Sequence, residues 1–161
     1  MVRRKDHKPT WGDADDGRVR VLLECSPHLS PSIISKVIED DGYDVRTCEG
    51  PSKGHECSLL AQGECELVTG ADVVVNMLRG PESDDHRVLD AVSGQRRPAP
   101  VVVEMTGPRI KQLEAHETEL AHPDQVTIIK SPISRHDLIE GIEAALAKQA
   151  DSVPRWGDGV G

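Results

Sequence analysis

Short apolar runs rich in valine and isoleucine alternate with amphipathic stretches along most of this chain. The runs that have the length and β-branched composition of buried strands lie at residues 18–24, 43–47, 73–76, 101–106 and 126–129. Apolar residues recur at helical spacing in residues 31–41, 84–93, 110–120 and 134–147. The pattern therefore predicts strands and helices in alternation.

The boundaries of the first and last predicted helices carry local signals. Ser30 and Pro31 form a pair of N-cap residue and first-turn proline, and Gly42 lies where a glycine commonly follows a helix. Ser134 is the predicted N-cap of the last helix, with Asp137 in its first turn. These signals indicate where both helices begin and where the first one ends.

Alternating strands and helices predict an α/β fold, a parallel sheet with helices on both faces. We expect one domain over residues 18–148. Residues 1–17 and 149–161 are polar, and we predict disordered tails there. Residues 48–70 contain Gly, Glu and Ser with only a hint of a helical turn at 58–61, so we predict an irregular segment in that place.

Composition excludes several classes of function. The net charge of −9 argues against a nucleic-acid-binding surface. Phe is absent and there is one Tyr, so the core has to be aliphatic. The chain has no apolar run long enough for a membrane span and begins without a signal peptide, so we expect a cytoplasmic protein with reduced cysteines.

Four local motifs flank the predicted strands in a definite order. Glu24-Cys25-Ser26-Pro27 follows the first strand, and Gly42-Tyr43-Asp44-Val45 leads into the second. Thr106 ends the fourth strand, and Lys130-Ser131-Pro132 follows the fifth. Over about residues 18–148 this order resembles the receiver domain of bacterial two-component response regulators. The resemblance implies a flavodoxin-like, five-stranded parallel sheet in the order 2-1-3-4-5.

The chain departs from the receiver pattern at the residues needed for phosphorylation. The resemblance implies a phospho-accepting aspartate at the end of strand three, where this chain has Asn76, or Met77 if the count starts from Asp72. An amide is a poor nucleophile and cannot form an acyl phosphate. Cys25 replaces one member of the acidic pair that would hold Mg²⁺, which leaves Glu24 alone.

The receiver lysine after strand five is also displaced. Lys130 matches it approximately, but Ser131 takes its position if Pro132 is aligned with the proline of the family. We therefore predict a pseudo-receiver, a non-enzymatic signalling or interaction module that keeps the fold and has lost phosphorylation. Another flavodoxin-like domain without a signalling role is the alternative at the level of the fold.

The cysteines suggest a different regulatory function. Cys48, Cys57 and Cys65 lie close in sequence, with His55 among them, and neighbouring strand ends would bring Cys25 near them. Thiolates with imidazole are ligands of Zn²⁺, and thiolates alone hold iron–sulfur clusters. A metal-binding or redox-responsive protein is therefore the alternative function. A redox disulfide and inert buried thiols are the other interpretations of these residues.

The resemblance also implies a surface for protein partners or for a homodimer. In receivers it is the face made by helix four, strand five and helix five. In this sequence that face corresponds to residues 110–120, 126–130 and 134–147. The chain contains no glycine-rich phosphate loop with the G-x-G-x-x-G spacing, so we expect no nucleotide cofactor.

Overall fold

The computed structural model describes Trp11 and residues 17–50, 57–78, 82–95, 97–115 and 123–152. Parallel strands form one sheet in the order β2-β1-β3-β4-β5. The strands are β1 (Arg20–Cys25), β2 (Asp44–Cys48), β3 (Val73–Met77), β4 (Val101–Met105) and β5 (Val126–Lys130). Both the fold class and the strand order agree with the prediction.

Helices cover both faces of this sheet. They are α1 (Pro31–Asp40), α2 (Ser58–Gln62), α3 (Glu66–Gly70), α4 (Glu82–Ser93), α5 (Gly107–Ala115) and α6 (Arg135–Ser152). Residues 116–120 of the predicted fourth helix lie outside the described residues, and α6 continues past the predicted domain boundary at 148. None of the described helices combines the length and the hydropathy needed to cross a bilayer.

The sheet separates two apolar clusters, because successive side chains of a strand point to opposite faces. On one face, which we call the α1–α6 face, Val21, Leu23, Val73 and Val75 pack with Ile38 of α1 and with Ile142 of α6. On the other, the α2–α5 face, Leu22 and Val74 pack with residues of α2, α3 and α4. The valine run of β3 is buried on both faces, as its continuous apolar pattern predicts.

The segment predicted to be irregular, residues 48–70, contains the two short helices α2 and α3. They form because Leu59, Leu67 and Val68 bury their side chains in the cluster of the α2–α5 face. Each helix has five residues, too few to generate a helical period in the sequence. Only α2 coincides with the turn that was expected at 58–61.

Trp11 lies within the stretch predicted to be a disordered tail, yet it packs against the cluster of the α2–α5 face. Its indole Nε1–H donates a hydrogen bond to the carbonyl of Leu67 at 2.9 Å. The prediction fails for this residue because a single aromatic side chain in a polar stretch produces no periodic signal. Residues 1–10, 12–16 and 153–161 lie outside the described residues.

The two predicted N-caps behave differently. The hydroxyl of Ser134 accepts a hydrogen bond from the Asp137 backbone N–H at 3.1 Å, which is the geometry of a true N-cap. Ser30 precedes α1 but has a left-handed backbone, with φ of 56°, and its side chain makes no capping bond. The first turn of α1 therefore depends on Pro31 and on packing.

Gly141 provides a test of the contact between α6 and the sheet. A Cβ at this position would lie 2.9 Å from Cγ2 of Ile129 and 3.4 Å from Cγ1 of Val102. Overpacking of this kind costs about 1–3 kcal/mol, more than the ~1 kcal/mol that alanine gains over glycine inside a helix. We expect Gly141→Ala to lower the free energy of unfolding by about 1 kcal/mol in urea titrations.

The effect of Gly141→Ala on the free energy of unfolding should change sign once the clash with Ile129 is removed. In an Ile129→Ala background the methyl groups of Ile129 are gone, and only the helix-propensity gain of about 1 kcal/mol remains. Gly141→Ala should then stabilise the protein. If it destabilises both backgrounds equally, the contact with Ile129 is not the cause.

Candidate functional site

The carboxyl ends of the strands form the edge at which the predicted site lies. Cys25 is the register partner of Met77 across β1 and β3, and Glu24 is the partner of Asn76. Neighbouring strand partners share a face, whereas consecutive residues point to opposite faces. The edge therefore carries two separate groups of side chains, one on each face of the sheet.

A groove opens on the α1–α6 face of this edge. It has a volume of about 480 Å³. Its polar lining residues are Glu104, Ser131, Ser134 and Arg135, and the others are Met77 and apolar residues on and next to α1 and α6. Cys25 is buried in the same apolar cluster as Met77. One of the apolar lining residues, Ile33, is 65% exposed.

Glu24 and Asn76 belong to the opposite face and are nearly inaccessible, with exposures of 3% and 5%. The Oδ1 of Asn76 accepts a hydrogen bond from the backbone N–H of Leu78 at 3.4 Å. This bond ties the amide to the first residue after β3. In the described geometry Asn76 is therefore an anchor for the loop that follows the strand.

Lys130 and Thr106 lie away from the groove lining. Lys130 is exposed, and its Cε would lie 3.3 Å from a Cβ added at Gly107, so its stem covers the start of α5. Thr106 is exposed, and its backbone carbonyl accepts the N–H of Ile110 in the first turn of α5. The predicted set of Glu24, Cys25, Asn76, Thr106 and Lys130 thus does not converge on one face.

Sequence reasoning gave the alternatives Met77 and Ser131 less weight, although these two residues line one groove. The signal that could have identified them is strand parity. Val75 and Ile129 are buried on the α1–α6 face, and residues two positions further along each strand, Met77 and Ser131, must point the same way. Glu104 follows in the same way from Val102, whereas the exposure of Ile33 in α1 could not be read from the sequence.

The cysteines do not converge as a group of four. Cys25 is buried on the α1–α6 face, whereas Cys48, Cys57 and Cys65 pack against the cluster of the other face. Strand parity is again the reason, because Cys48 is the register partner of Glu24 and not of Cys25. The prediction that Cys25 joins the other three cysteines is wrong.

No group of three or more potential ligands has the arrangement of a metal site within the part of the chain that the structure describes. His55 lies outside that part. All four cysteines are free thiols, and Cys57 and Cys65 occupy the N-cap positions of α2 and α3. The zinc or iron–sulfur interpretation gains no support from this geometry, and the redox interpretation stays a prediction.

Cys48 is chemically unusual among these thiols. Burial raises its pKa from 9.0 to about 11, and the nearby charges of Glu24, Cys65 and Cys57 add to the rise. The backbone N–H of Gly50 donates a hydrogen bond to Sγ of Cys48 at 3.3 Å, and this bond offsets part of the rise in pKa. At neutral pH Cys48 is a protonated thiol, which is a poor nucleophile.

Comparison with solved structures supports the fold. The chain is similar to a response regulator receiver domain protein from Clostridium thermocellum, with 15% identity, 84% of this chain and 99% of that chain covered, and a TM-score of 0.60. It is equally similar to a CheY-like receiver domain protein from Methanospirillum hungatei JF-1, with 16% identity, 84% and 99% coverage, and a TM-score of 0.60.

A sensor protein from Polaromonas sp. JS666 is 20% identical, with 81% and 97% coverage and a TM-score of 0.56. No family model and no curated protein matches the sequence. At these identities the similarity establishes the receiver fold and nothing finer.

The raised pKa of Cys48 predicts low reactivity toward iodoacetamide. At pH 8 a thiol with a pKa of about 11 has roughly a hundredfold less thiolate than one at 9.0, and only the thiolate reacts. We expect Cys48 to be alkylated about a hundredfold more slowly in the folded protein than in urea, as measured by peptide mass spectrometry.

Glu24→Gln serves as the matched control, because it removes one of the charges that raise the pKa of Cys48. This variant should react faster than the wild type at the same pH. Equal rates in folded and unfolded protein would contradict the described environment of Cys48.

Proposed function

We propose that this chain is a receiver-like signalling module that acts through protein contacts and does not accept a phosphoryl group. The observation that supports the proposal is the groove on the α1–α6 face, lined by Met77, Glu104 and Ser131 beside the buried Cys25. In the receiver fold the corresponding strand ends would carry the acceptor aspartate, the lysine and the second acidic residue.

The chemistry of these side chains opposes phosphoryl transfer. The thioether of Met77 cannot form an acyl phosphate, and the thiol of Cys25 is a soft ligand that does not replace a carboxylate on Mg²⁺. The hydroxyl of Ser131 carries no positive charge to stabilise a phosphoryl group. Glu24 would supply the remaining acid of the pair, but it is buried on the other face.

Glu104 is the one carboxylate among the residues that line the groove. A single carboxylate leaves Mg²⁺ without the second acidic ligand that a phosphorylation site uses to hold it next to a phosphate. The proposal therefore includes Glu104 as a polar lining residue rather than as a phosphate acceptor.

The proposal predicts no phosphorylation of the wild-type chain. Incubation with acetyl phosphate and Mg²⁺ should leave the intact mass unchanged. A variant with Cys25→Asp, Met77→Asp and Ser131→Lys places a metal-binding acid, an acceptor and a lysine beside Glu104 on one face. This variant should gain one phosphoryl group that mild base removes.

The matched control keeps Cys25→Asp and Ser131→Lys but carries Asn76→Asp in place of Met77→Asp, which puts the acceptor carboxylate on the opposite face. It should not be phosphorylated, and circular dichroism should establish that all variants fold. A base-labile phosphoryl group on the wild type would overturn the proposal. Phosphorylation of the Asn76→Asp variant would mean that the phosphorylation site lies on the α2–α5 face.

We propose that partners bind at the face made by α5, β5 and α6. β5 is an edge strand of the sheet, and its Ile128 is 39% exposed. Within the described residues, Ile128 and Ile33 are the large apolar side chains that are most exposed to solvent. An edge strand with an exposed isoleucine is suited to contact with another protein.

These two isoleucines form a matched pair for a test of the surface. Burial of an isoleucine side chain contributes about 1.5–3 kcal/mol, so Ile128→Glu should weaken self-association or partner binding at least about tenfold. Sedimentation equilibrium measures self-association. Ile33→Glu, which changes the groove of the α1–α6 face, is the control variant and should leave binding unchanged. If only Ile33→Glu weakens binding, the partner surface is the groove instead.

A further inference from the structure

Trp11 occupies a site whose parts fit an indole ring. Its Nε1–H is bonded to the Leu67 carbonyl at 2.9 Å. The guanidinium carbons of Arg20 and Arg46 lie 5.6 and 5.5 Å from the ring centre, within the range of cation–π attraction. A Cβ on residue 70 would overlap the indole Cδ1, so Gly70 leaves the room that the ring needs.

The sequence contains a second segment of the same kind. The chain has two tryptophans, and both are followed by Gly-Asp, as Trp11-Gly12-Asp13 and as Trp156-Gly157-Asp158. The site offers a carbonyl acceptor, two arginines and an open glycine surface. The carbonyl, the two guanidinium groups and the space over Gly70 each suit an indole ring, although Arg46 is also paired with Asp44 at 2.7 Å.

The topology brings the C-terminal end of α6 toward the edge of the sheet where this site lies. Trp11 stands over Arg20, the first residue of β1. α6 begins after the carboxyl end of β5 and runs back along the sheet, and Leu138 near its start lines the groove at the carboxyl edge. Tyr43, which directly precedes β2, packs in the cluster that α6 covers.

A charge effect supports the same placement. Burial raises the pKa of Tyr43, and Glu143 of α6 is the next cause of that rise. The middle of α6 therefore lies near Tyr43 at the start of β2, and the remaining residues of the helix continue beyond it. Trp156 lies four residues after Ser152, the last residue of α6. An extended chain of four residues reaches about 14 Å.

We infer that the Trp11 site is a docking site for the C-terminal Trp156-Gly157-Asp158 segment of the same chain, which competes there with Trp11. Competition within one chain needs no high protein concentration, because the short connection after α6 gives a large effective concentration. When the C-terminal segment docks, the N-terminal segment leaves the α2–α5 face. The two ends of the chain thus alternate on one site beside α3.

The test follows Trp156 as the single tryptophan in the full chain carrying Trp11→Ala. Docked Trp156 should be quenched by acrylamide at least about threefold less efficiently than a free tryptophan, because a bound group loses most of its accessible surface. Adding Gly70→Ala places a methyl group where the indole sits and should restore full quenching. Gly70 has no left-handed backbone angle, so alanine is compatible with its conformation.

Arg46→Ala in the Trp11→Ala chain is a second variant, and it should raise the quenching of Trp156 without filling the site. The shielding of Trp156 should be independent of protein concentration. Shielding that appears only with dimer formation would overturn docking within one chain and assign the segment to a second copy. Full quenching in the Trp11→Ala chain, with the fold intact by circular dichroism, would overturn the inference altogether.

Discussion

The alternation of side chains along doubly buried strands is the constraint on which the rest of this structure depends. The inner strands β1, β3 and β4 are buried on both faces, so each of their core residues belongs to one of two separate cores. Consecutive side chains of a strand point to opposite faces. Glu24 and Cys25 therefore lie in different environments although they are neighbours in sequence. The same holds for Asn76 and Met77.

This constraint decides what the carboxyl edge can do chemically. The residues on the α1–α6 face offer a thiol, a thioether, two hydroxyls, a guanidinium and a single carboxylate around an open groove. On the other face, an acid and an amide are buried near a thiol with a raised pKa. Neither set combines a carboxylate nucleophile with a second acidic ligand for Mg²⁺, and the proposed role in protein contacts rests on this difference.

The sheet and its main helices could be predicted from the sequence because β-branched runs and helical periods extend over enough residues to be recognised. The choice between Asn76 and Met77 follows from strand parity only once the face of Val75 is known, and the continuous apolar run Val73–Val75 does not show that face. Trp11 and the five-residue α3 form through tertiary packing, for which a local pattern gives no signal.

The two cores also differ in their optical properties. The chain has no phenylalanine and one tyrosine, and Tyr43 packs in the core of the α1–α6 face while Trp11 packs in that of the α2–α5 face. With Trp156 replaced, each layer carries one native chromophore. Thermal melting recorded by tyrosine absorbance and by tryptophan emission then reports the two layers independently, and coincident curves would identify the sheet as a single cooperative unit.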